Sequence, residues 1–327
     1  MALLVVMAHF DVDQRLRRHV IATITNYARS AERVVVVSTS GVREGETDVL
    51  PPNVEFVTRA NFGYDFYSYK WALDTVGDYG AYDRIVISND SFVGPIVPLD
   101  TIVESQQAAE YDLMGMTWSR HHGGHAQSFF VTVTGAVARS QGFQRFWRDM
   151  VPVSGRTDVI RKYEVGLTGF VRESGFSVGG YFQPTDAELE LAQRRFVHQG
   201  AVRIIDGKSG LVRKNYGAQP SSNLIFNPAV AYADRFLLDA RFPLLKFDTL
   251  RFDPYGLDAG RLLREAEAQY PDHMGGVREF LRDTRPSYPY RPRERNTLID
   301  VAELRGLGVG YCMDAEYLKL RPEGPTQ

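Results

Sequence analysis

Leu3-Leu4-Val5-Val6-Met7 is an unbroken apolar run that closes on the exit Ala8-His9-Phe10-Asp11. A short run without alternation is the pattern of a strand buried on both faces, and so of a parallel sheet covered by helices. A helix is expected next. Residues 12–30 supply it, because Leu16, Val20, Ile24 and Tyr27 recur at steps of four, four and three, with Asp11 or Asp13 placed to cap the start. The rhythm continues with strand 34–37 ending in Ser38-Thr39-Ser40, strand 54–57, helix 64–76 and strand 85–87. Four strands and two helices in about ninety residues imply a Rossmann-like α/β half.

Beyond residue 100 the pattern predicts strands at 113–117 and 129–133 without long helices between them, and hence a mixed sheet. Phe143, Phe146, Trp147 and Met150 fall at i, i+3, i+4 and i+7 and predict a helix docked on the core. A further helix is expected over 157–174, with Ile160, Tyr163, Leu167 and Phe170 on one stripe and Gly175 as its left-handed terminator. The expected fold class is α/β, a Rossmann-type mixed sheet flanked by helices. A first domain is placed over 1–205, with halves 1–100 and 101–205, and a smaller, mainly helical region over 206–327.

Composition narrows the function. The chain has 327 residues, and 38 Lys plus Arg stand against 40 Asp plus Glu, a net charge of −2 that provides no field for nucleic acid. One cysteine, Cys312, can form no internal disulfide and suits a reducing compartment. The N-terminal apolar run is too short, and too poor in basic residues before it, for a signal peptide or a membrane span, so a cytoplasmic location is expected.

In open α/β sheets ligands lie beyond the carboxyl ends of the strands. Four exits carry polar clusters: His9 with Asp11, Ser38 with Thr39 and Ser40, the segment from Arg59 to Asp65, and Ser88-Asn89-Asp90-Ser91. Singly, each is accounted for by a cap or turn. Together they mark one edge as the ligand edge. Arg59 can offer a guanidinium, and its loop backbone N–H groups, to a diphosphate, with Gly63 permitting close approach. Asp90, flanked by Asn89 and Ser91, can hold Mg²⁺ or Mn²⁺ with phosphate oxygens completing the shell. The plain alternative there is an Asx-turn leading into Gly94-Pro95. His121, His122 and His125 have ligand-like spacing, but Gly123 and Gly124 break a helix and no third acid is near, so no zinc centre is expected.

Five motifs occur in order: Arg59-x-Asn61-x-Gly63-Tyr64-Asp65, Asn89-Asp90-Ser91-x-x-Gly94-Pro95, His125-x-Gln127-Ser128-Phe129-Phe130, Phe146-Trp147 and Tyr163-Glu164-x-Gly166-Leu167-Thr168. In that order and spacing they resemble the rhamnan-synthesis protein F family, glycosyltransferases of bacterial cell-surface polysaccharide assembly, over about residues 2–254. Asn227-Pro228, Pro243-Leu244-Leu245-Lys246 and Leu250-Arg251 are similar to that family as well, while Asp253-Pro254 stands where its pattern has Asn-Pro.

The resemblance implies a GT-A fold with a nucleotide-sugar half at 1–100 and an acceptor half at 101–205. It implies a nucleotide-sugar donor, with dTDP-rhamnose favoured, and a surface-polysaccharide or lipid-linked glycan acceptor. The donor would be bound by His9, Asp11, Ser38, Thr39, Arg59, Asn61, Gly63, Asp65, Lys70, Asn89, Asp90 and Ser91. Trp118, Gln127 and Lys246 would face the sugar or acceptor, Gln127 being read as lying on the strand with Phe129 on the same face and Ser128 on the other. Asp90 stands at the position of the fold's metal motif for Mg²⁺ or Mn²⁺ with one acid where Asp-x-Asp has two, which implies weak or absent metal dependence, Arg59 or Lys70 then sharing the stabilisation of the diphosphate charge. Glu164 and His125 compete for the role of general base in an inverting transfer. A module that binds nucleotide-sugars or glycans without catalysis is the alternative. Five arginines, Arg282, Arg285, Arg291, Arg293 and Arg295, interleaved with Pro and Tyr, form a stretch that resists regular helix and is either a solvated linker or a peripheral contact with the inner face of the cell membrane.

Overall fold

The computed structural model describes residues 1–205, 226–238 and 241–287. β1 (Leu3–His9) is buried along its whole length. It pairs in parallel with β2 (Arg33–Ser38) on one side and β4 (Arg84–Asn89) on the other, and β3 (Val54–Thr58) lies parallel outside β2. With β5 (Leu113–Gly115), β6 (Phe130–Thr134) and β7 (Val178–Gly180), the sheet order is β3-β2-β1-β4-β6-β5-β7. β6 runs antiparallel to both neighbours, with Arg84 opposite Thr134 and Ser88 opposite Phe130. This is a mixed, mainly parallel α/β sheet flanked by helices. Because β6 is reversed, the residues that precede it lie at the carboxyl edge of the parallel strands.

Helices α1 (Arg18–Ser30) and α2 (Tyr64–Val76) follow β1 and β3. Phe66, Tyr69, Ala72 and Leu73 of α2 are buried in one core with Leu4 and Val6 of β1, Val35 and Val37 of β2, and Ile85 and Ile87 of β4. The first helix begins six residues later than the periodicity predicts. Asp11 accepts from the backbone N–H groups of Asp13 and Arg15 (2.9 and 3.2 Å) and so holds a turn, and neither acid caps α1.

A helix that the periodicity does not predict precedes the strand at 113. α3 (Leu99–Ala108) buries Leu99, Ile102, Val103 and Gln106. The inward stripe is disguised because Gln106 fills its last position, where its amide donates to the carbonyls of Tyr111 and Asp112. α4 (Gly135–Arg139) and α5 (Gln141–Arg148) follow β6. The helix expected over 157–174 is three pieces: α6 (Arg156–Val159), a π turn Ile160–Glu164, and α7 (Val165–Glu173). In the π turn the Val165 N–H donates to the Ile160 carbonyl, five residues back.

The chain divides into two compact units, Met1–Gln183 and Pro184–Gln327, whereas the sequence placed the boundary at 205. Helix α8 (Asp186–Ile205) belongs to the second unit, where Arg195 pairs with Asp234 at 2.6 Å and Glu188 with Arg241 at 2.5 Å. Helices Phe247–Phe252, Ala259–Gln269 and Val277–Thr284 complete its larger described elements, around Phe236, Leu244, Leu250 and Leu263. Arg282 is helical and Arg285 lies in a 3₁₀ turn, so the arginine-rich stretch is regular at its start. Arg291, Arg293 and Arg295, and Cys312, lie outside the described residues. Asp253, standing for Asn, adopts a left-handed conformation (φ 39°) and accepts from the N–H groups of Leu257 and Ala259 at 2.6 and 3.1 Å. Among the described residues no helix is long and apolar enough to cross a membrane.

Candidate active site

The carboxyl ends of β1, β2 and β4 lie side by side because the strands pair in register through His9–Ser38 and Ala8–Asn89. At the first two exits the polar groups hold the edge together. His9 Nδ1 meets Ser38 Oγ at 3.0 Å, and the Thr39 N–H donates to the His9 carbonyl at 3.0 Å. Burial pushes the His9 imidazole down to about 4, with Asp11 acting the other way, so the ring is neutral. The buried carboxylate of Asp11 is engaged by Arg17 at 2.7 Å and by the turn it caps. Asp11 and Ser38 are thus bound to protein partners and present no unengaged group to a ligand.

Arg59 corrects a sharper expectation. A guanidinium has five N–H donors, and the structure directs all five inward. Nε and Nη2 donate to Ser68 Oγ at 3.1 and 2.8 Å, Nη1 to the carbonyls of Ala60 and Phe62 at 2.8 and 2.7 Å, and Nη2 to the Tyr64 carbonyl at 3.0 Å. Arg59 is therefore a staple that shapes the loop, with each of its five donors engaged by a protein acceptor. Burial lowers its pKa, with Tyr67 and Asp65 opposing. The loop it shapes enters α2 through Gly63 at φ 73°, where a Cβ would stand 2.7 Å from the Cβ of Tyr67. Asn61 is exposed on this loop. Lys70 is also engaged elsewhere, by Asp74 at 3.0 Å.

What remains at the edge is acidic. The Phe10 N–H donates to Asp90 Oδ2 at 2.7 Å, bridging the exits of β1 and β4. Asn89 donates to Asp65 Oδ2 at 2.8 Å and accepts from the Ser91 N–H at 3.1 Å, so the Asx-turn is present and Asp90 is the acid it displays. Burial, reinforced by Asp65 and Asp11 and opposed by the Phe10 N–H, pushes the Asp90 carboxyl up to about 7. Surplus negative charge of this kind suits a divalent cation. Among the described residues no three His, Cys, Asp or Glu groups converge, so Mg²⁺ or Mn²⁺ would rest on Asp90, with Asp65 and Asn89 beside it and phosphate oxygens completing the shell.

The second half of the site comes from the segment before β6. Trp118–Ser119 and His125–Ala126 pair as a short antiparallel hairpin, with Trp118 opposite Ala126 and Ser119 opposite His125. His121–Gly123 forms a 3₁₀ turn at its tip. Buried His125 sets Nε2 3.3 Å from Glu164 Oε1 and Nδ1 3.1 Å from the His121 carbonyl. Glu164 Oε2 accepts from the Ser128 N–H at 2.8 Å and from the Ser128 hydroxyl. The two candidates for the base are bonded to each other. Burial works against ionisation of Glu164, but the hydrogen bonds from His125 and Ser128 outweigh it and hold the carboxyl below the usual range.

Tyr69 links the halves. Its hydroxyl donates to the Ser128 carbonyl at 3.2 Å, and burial together with the charges of Asp65, Asp90 and Glu164 raises its pKa well above the usual value. Neither Tyr69 nor Ser128 was singled out from sequence: Tyr69 reads as one more apolar position of α2, and Ser128 was assigned to the far face of a strand. Residues 127–129 lie outside the strands, with a turn at 128–129 just before β6, so the strand alternation does not apply to them. Gln127 precedes that turn, and its side-chain Oε1 accepts from the Thr117 hydroxyl at 2.7 Å. Lys246 belongs to the second unit, on strand Leu245–Lys246.

Among curated proteins the chain is similar to y4gN of Sinorhizobium fredii (strain NBRC 101917 / NGR234), 25% identical over 161 residues, 47% of this chain and 42% of that protein. The chain therefore spans less than half the length of this relative. Among solved structures, glucosyl-3-phosphoglycerate synthase from Mycobacterium tuberculosis is 11% identical with a TM-score of 0.32, covering 55% of this chain and 67% of that one. Core-mannan synthase A from Aspergillus fumigatus is 8% identical with a TM-score of 0.27, covering 44% of this chain and 63% of that one. The family model described as rhamnan synthesis protein F matches residues 34–226, more than half of the chain, and the chain belongs to the rhamnan synthesis protein F family.

Proposed function

We propose that this protein is a glycosyltransferase that moves a sugar from a nucleotide-sugar donor, dTDP-rhamnose being favoured, to a bacterial surface-polysaccharide or lipid-linked glycan acceptor, with inversion. The observation that carries this reading is the meeting of two oppositely tuned carboxylates, Asp90 and Glu164, around Tyr69 at the carboxyl edge of the mixed sheet. Asp90, Asp65 and Asn89 form the diphosphate side. A bound Mg²⁺ or Mn²⁺ supplies positive charge to the departing diphosphate there.

Glu164 is the general base in this scheme. A carboxylate has about four acceptor positions, and the bonds from His125 and Ser128 fill three, leaving one on Oε1 for the acceptor hydroxyl. As the acceptor oxygen bonds to the anomeric carbon, its proton passes to Glu164 and the bond from that carbon to the diphosphate breaks, releasing nucleoside diphosphate. His125 and Ser128 are positioning residues that keep Glu164 ionised and fixed. His9, Ser38, Thr39, Asn61, Gly63 and Ser91 shape the donor side, and Trp118 and Gln127 remain candidates for the acceptor side.

Nucleotide release from dTDP-, UDP- and GDP-sugars, with and without Mn²⁺, tests the reading. Release from one of them that Asp90→Asn removes is the expected result. Tight binding of a nucleotide-sugar without release, across a panel of glycan acceptors, would instead establish a non-catalytic binding module.

A further inference from the structure

We propose that the first unit carries a second binding site, for an anionic saccharide, in the cavity between α5 and the π turn. This cavity has a volume of about 430 Å³, within the range usual for small-ligand sites, about 300–1,000 Å³. Its walls are aromatic. Phe146 of α5 and Phe170 of α7 line it half-buried, over Tyr163 of the π turn, whose ring meets Phe146 edge-on at 6.1 Å. Gly142 makes this wall possible, since a Cβ there would lie 2.2 Å from the Phe170 ring.

The rim is cationic. Arg145 and Lys162 both line the cavity and are exposed, and among the described residues neither side chain makes a hydrogen bond or ion pair. Lys162 Nζ stands 5.2 Å from the centroid of the Tyr163 ring. The acid at the rim, Asp149, is paired with Arg148 at 2.9 Å; the charge of Arg145 also acts on it, without an ion-pair contact. Half-exposed rings offer flat apolar faces that suit the C–H face of a sugar ring, and two unpaired cations beside them suit a carboxylate or phosphate on that sugar. A simple inorganic anion would leave the rings uncovered, and a neutral sugar would leave the cations unpaired.

The site is separate from the transfer centre. Tyr163 sends its hydroxyl to the backbone of Val151, whereas Glu164, the next residue on the turn, reaches His125 and Ser128. The choice of a saccharide rests on the glycosyltransferase reading, but the test reads binding and not transfer.

Saturation-transfer NMR and titration calorimetry with trigalacturonate and with glucose 6-phosphate test the proposal on the full chain, with maltotriose and inorganic phosphate as comparisons. At least one anionic saccharide binds the wild type, and the carboxylate and phosphate probes tell which anion is preferred. In the double variant Arg145→Gln, Lys162→Gln its affinity falls about tenfold or more, while dTDP or UDP binding in the presence of Mn²⁺ is unchanged. The proposal is overturned if neither anionic saccharide binds, if the double variant binds them as the wild type does, or if inorganic phosphate binds as tightly as glucose 6-phosphate. Transfer activity that is absent while saccharide binding is intact would remove the catalytic reading and leave this site standing.

Discussion

At the exit of β4, Asp90 is partly buried beside Asp65 and Asp11, and its carboxyl is pushed up to about 7. Across Tyr69, Glu164 is also largely removed from water, yet His125 and Ser128 donate to it and its carboxyl is held low. Burial disfavours the charged form in both. The difference lies in the balance: at Asp90 the Phe10 N–H does not offset burial, to which Asp65 and Asp11 add, whereas at Glu164 the donors His125 and Ser128 outweigh it. In the proposed scheme the first side receives a cation, and the opposite side keeps a carboxylate ionised without one.

The strongest way to break this comparison is Asp90→Asn. Loss of a cation-binding carboxylate removes several kcal/mol of charge stabilisation, so nucleotide release should fall by about three orders of magnitude. Stability should move the other way. The native state keeps the Asp90 proton to about pH 7, whereas an unfolded aspartate loses it near 3.9. In that window the native state binds more protons, and wild-type stability declines as pH rises. Thermal melts of Asp90→Asn should therefore exceed the wild type above pH 7 and converge with it near pH 4. A variant less stable than wild type at pH 8 would contradict the cause assigned to the raised pKa.

Glu164→Gln tests the opposite tuning. Transfer should slow by about 10²-fold or more while donor affinity, read by calorimetry, stays unchanged. Here stability drops at neutral pH, by about 2 kcal/mol for weakened hydrogen bonds to a charged group. Because the folded pKa is depressed, that contribution is present above the ordinary carboxylate range and is lost as pH falls through the folded pKa. Urea titrations of wild type and variant should thus differ at pH 7 and draw together in acid.

Smaller effects sharpen the donor side. Arg59→Lys replaces five fixed donors by three and should loosen residues 60–64, at a cost of about 1–3 kcal/mol in urea melts, with KM for the donor affected more than kcat. The least is expected from the buried imidazoles. Burial holds His9 near 4 and His19 near 3, so the native state binds fewer protons than the unfolded chain between about pH 6.5 and 4. Stability should fall as pH is lowered through this window, and His9→Gln should flatten the Tm profile by a few degrees at most.

The chain by itself determined the strands and helices of residues 3–89, because each is a contiguous run whose period is read directly: four valines at 34–37 and the helix Tyr64–Val76 lie where the pattern puts them. It also put Glu164, His125 and Asp90 in view. Which groups face a ligand was decided by tertiary structure. Arg59 looks like a phosphate clamp in sequence, and only the fold of its own loop shows carbonyl and hydroxyl acceptors closing around all five of its donors. Ser128, although it stands in one of the five motifs, and Tyr69 give no local sign of their roles, because their positions depend on a reversed strand that brings the segment before β6 to the edge where the other strands end. A periodic pattern reports which face of one element is buried; hydrogen bonds between residues 36 or 59 positions apart in the chain exist only once the elements have packed.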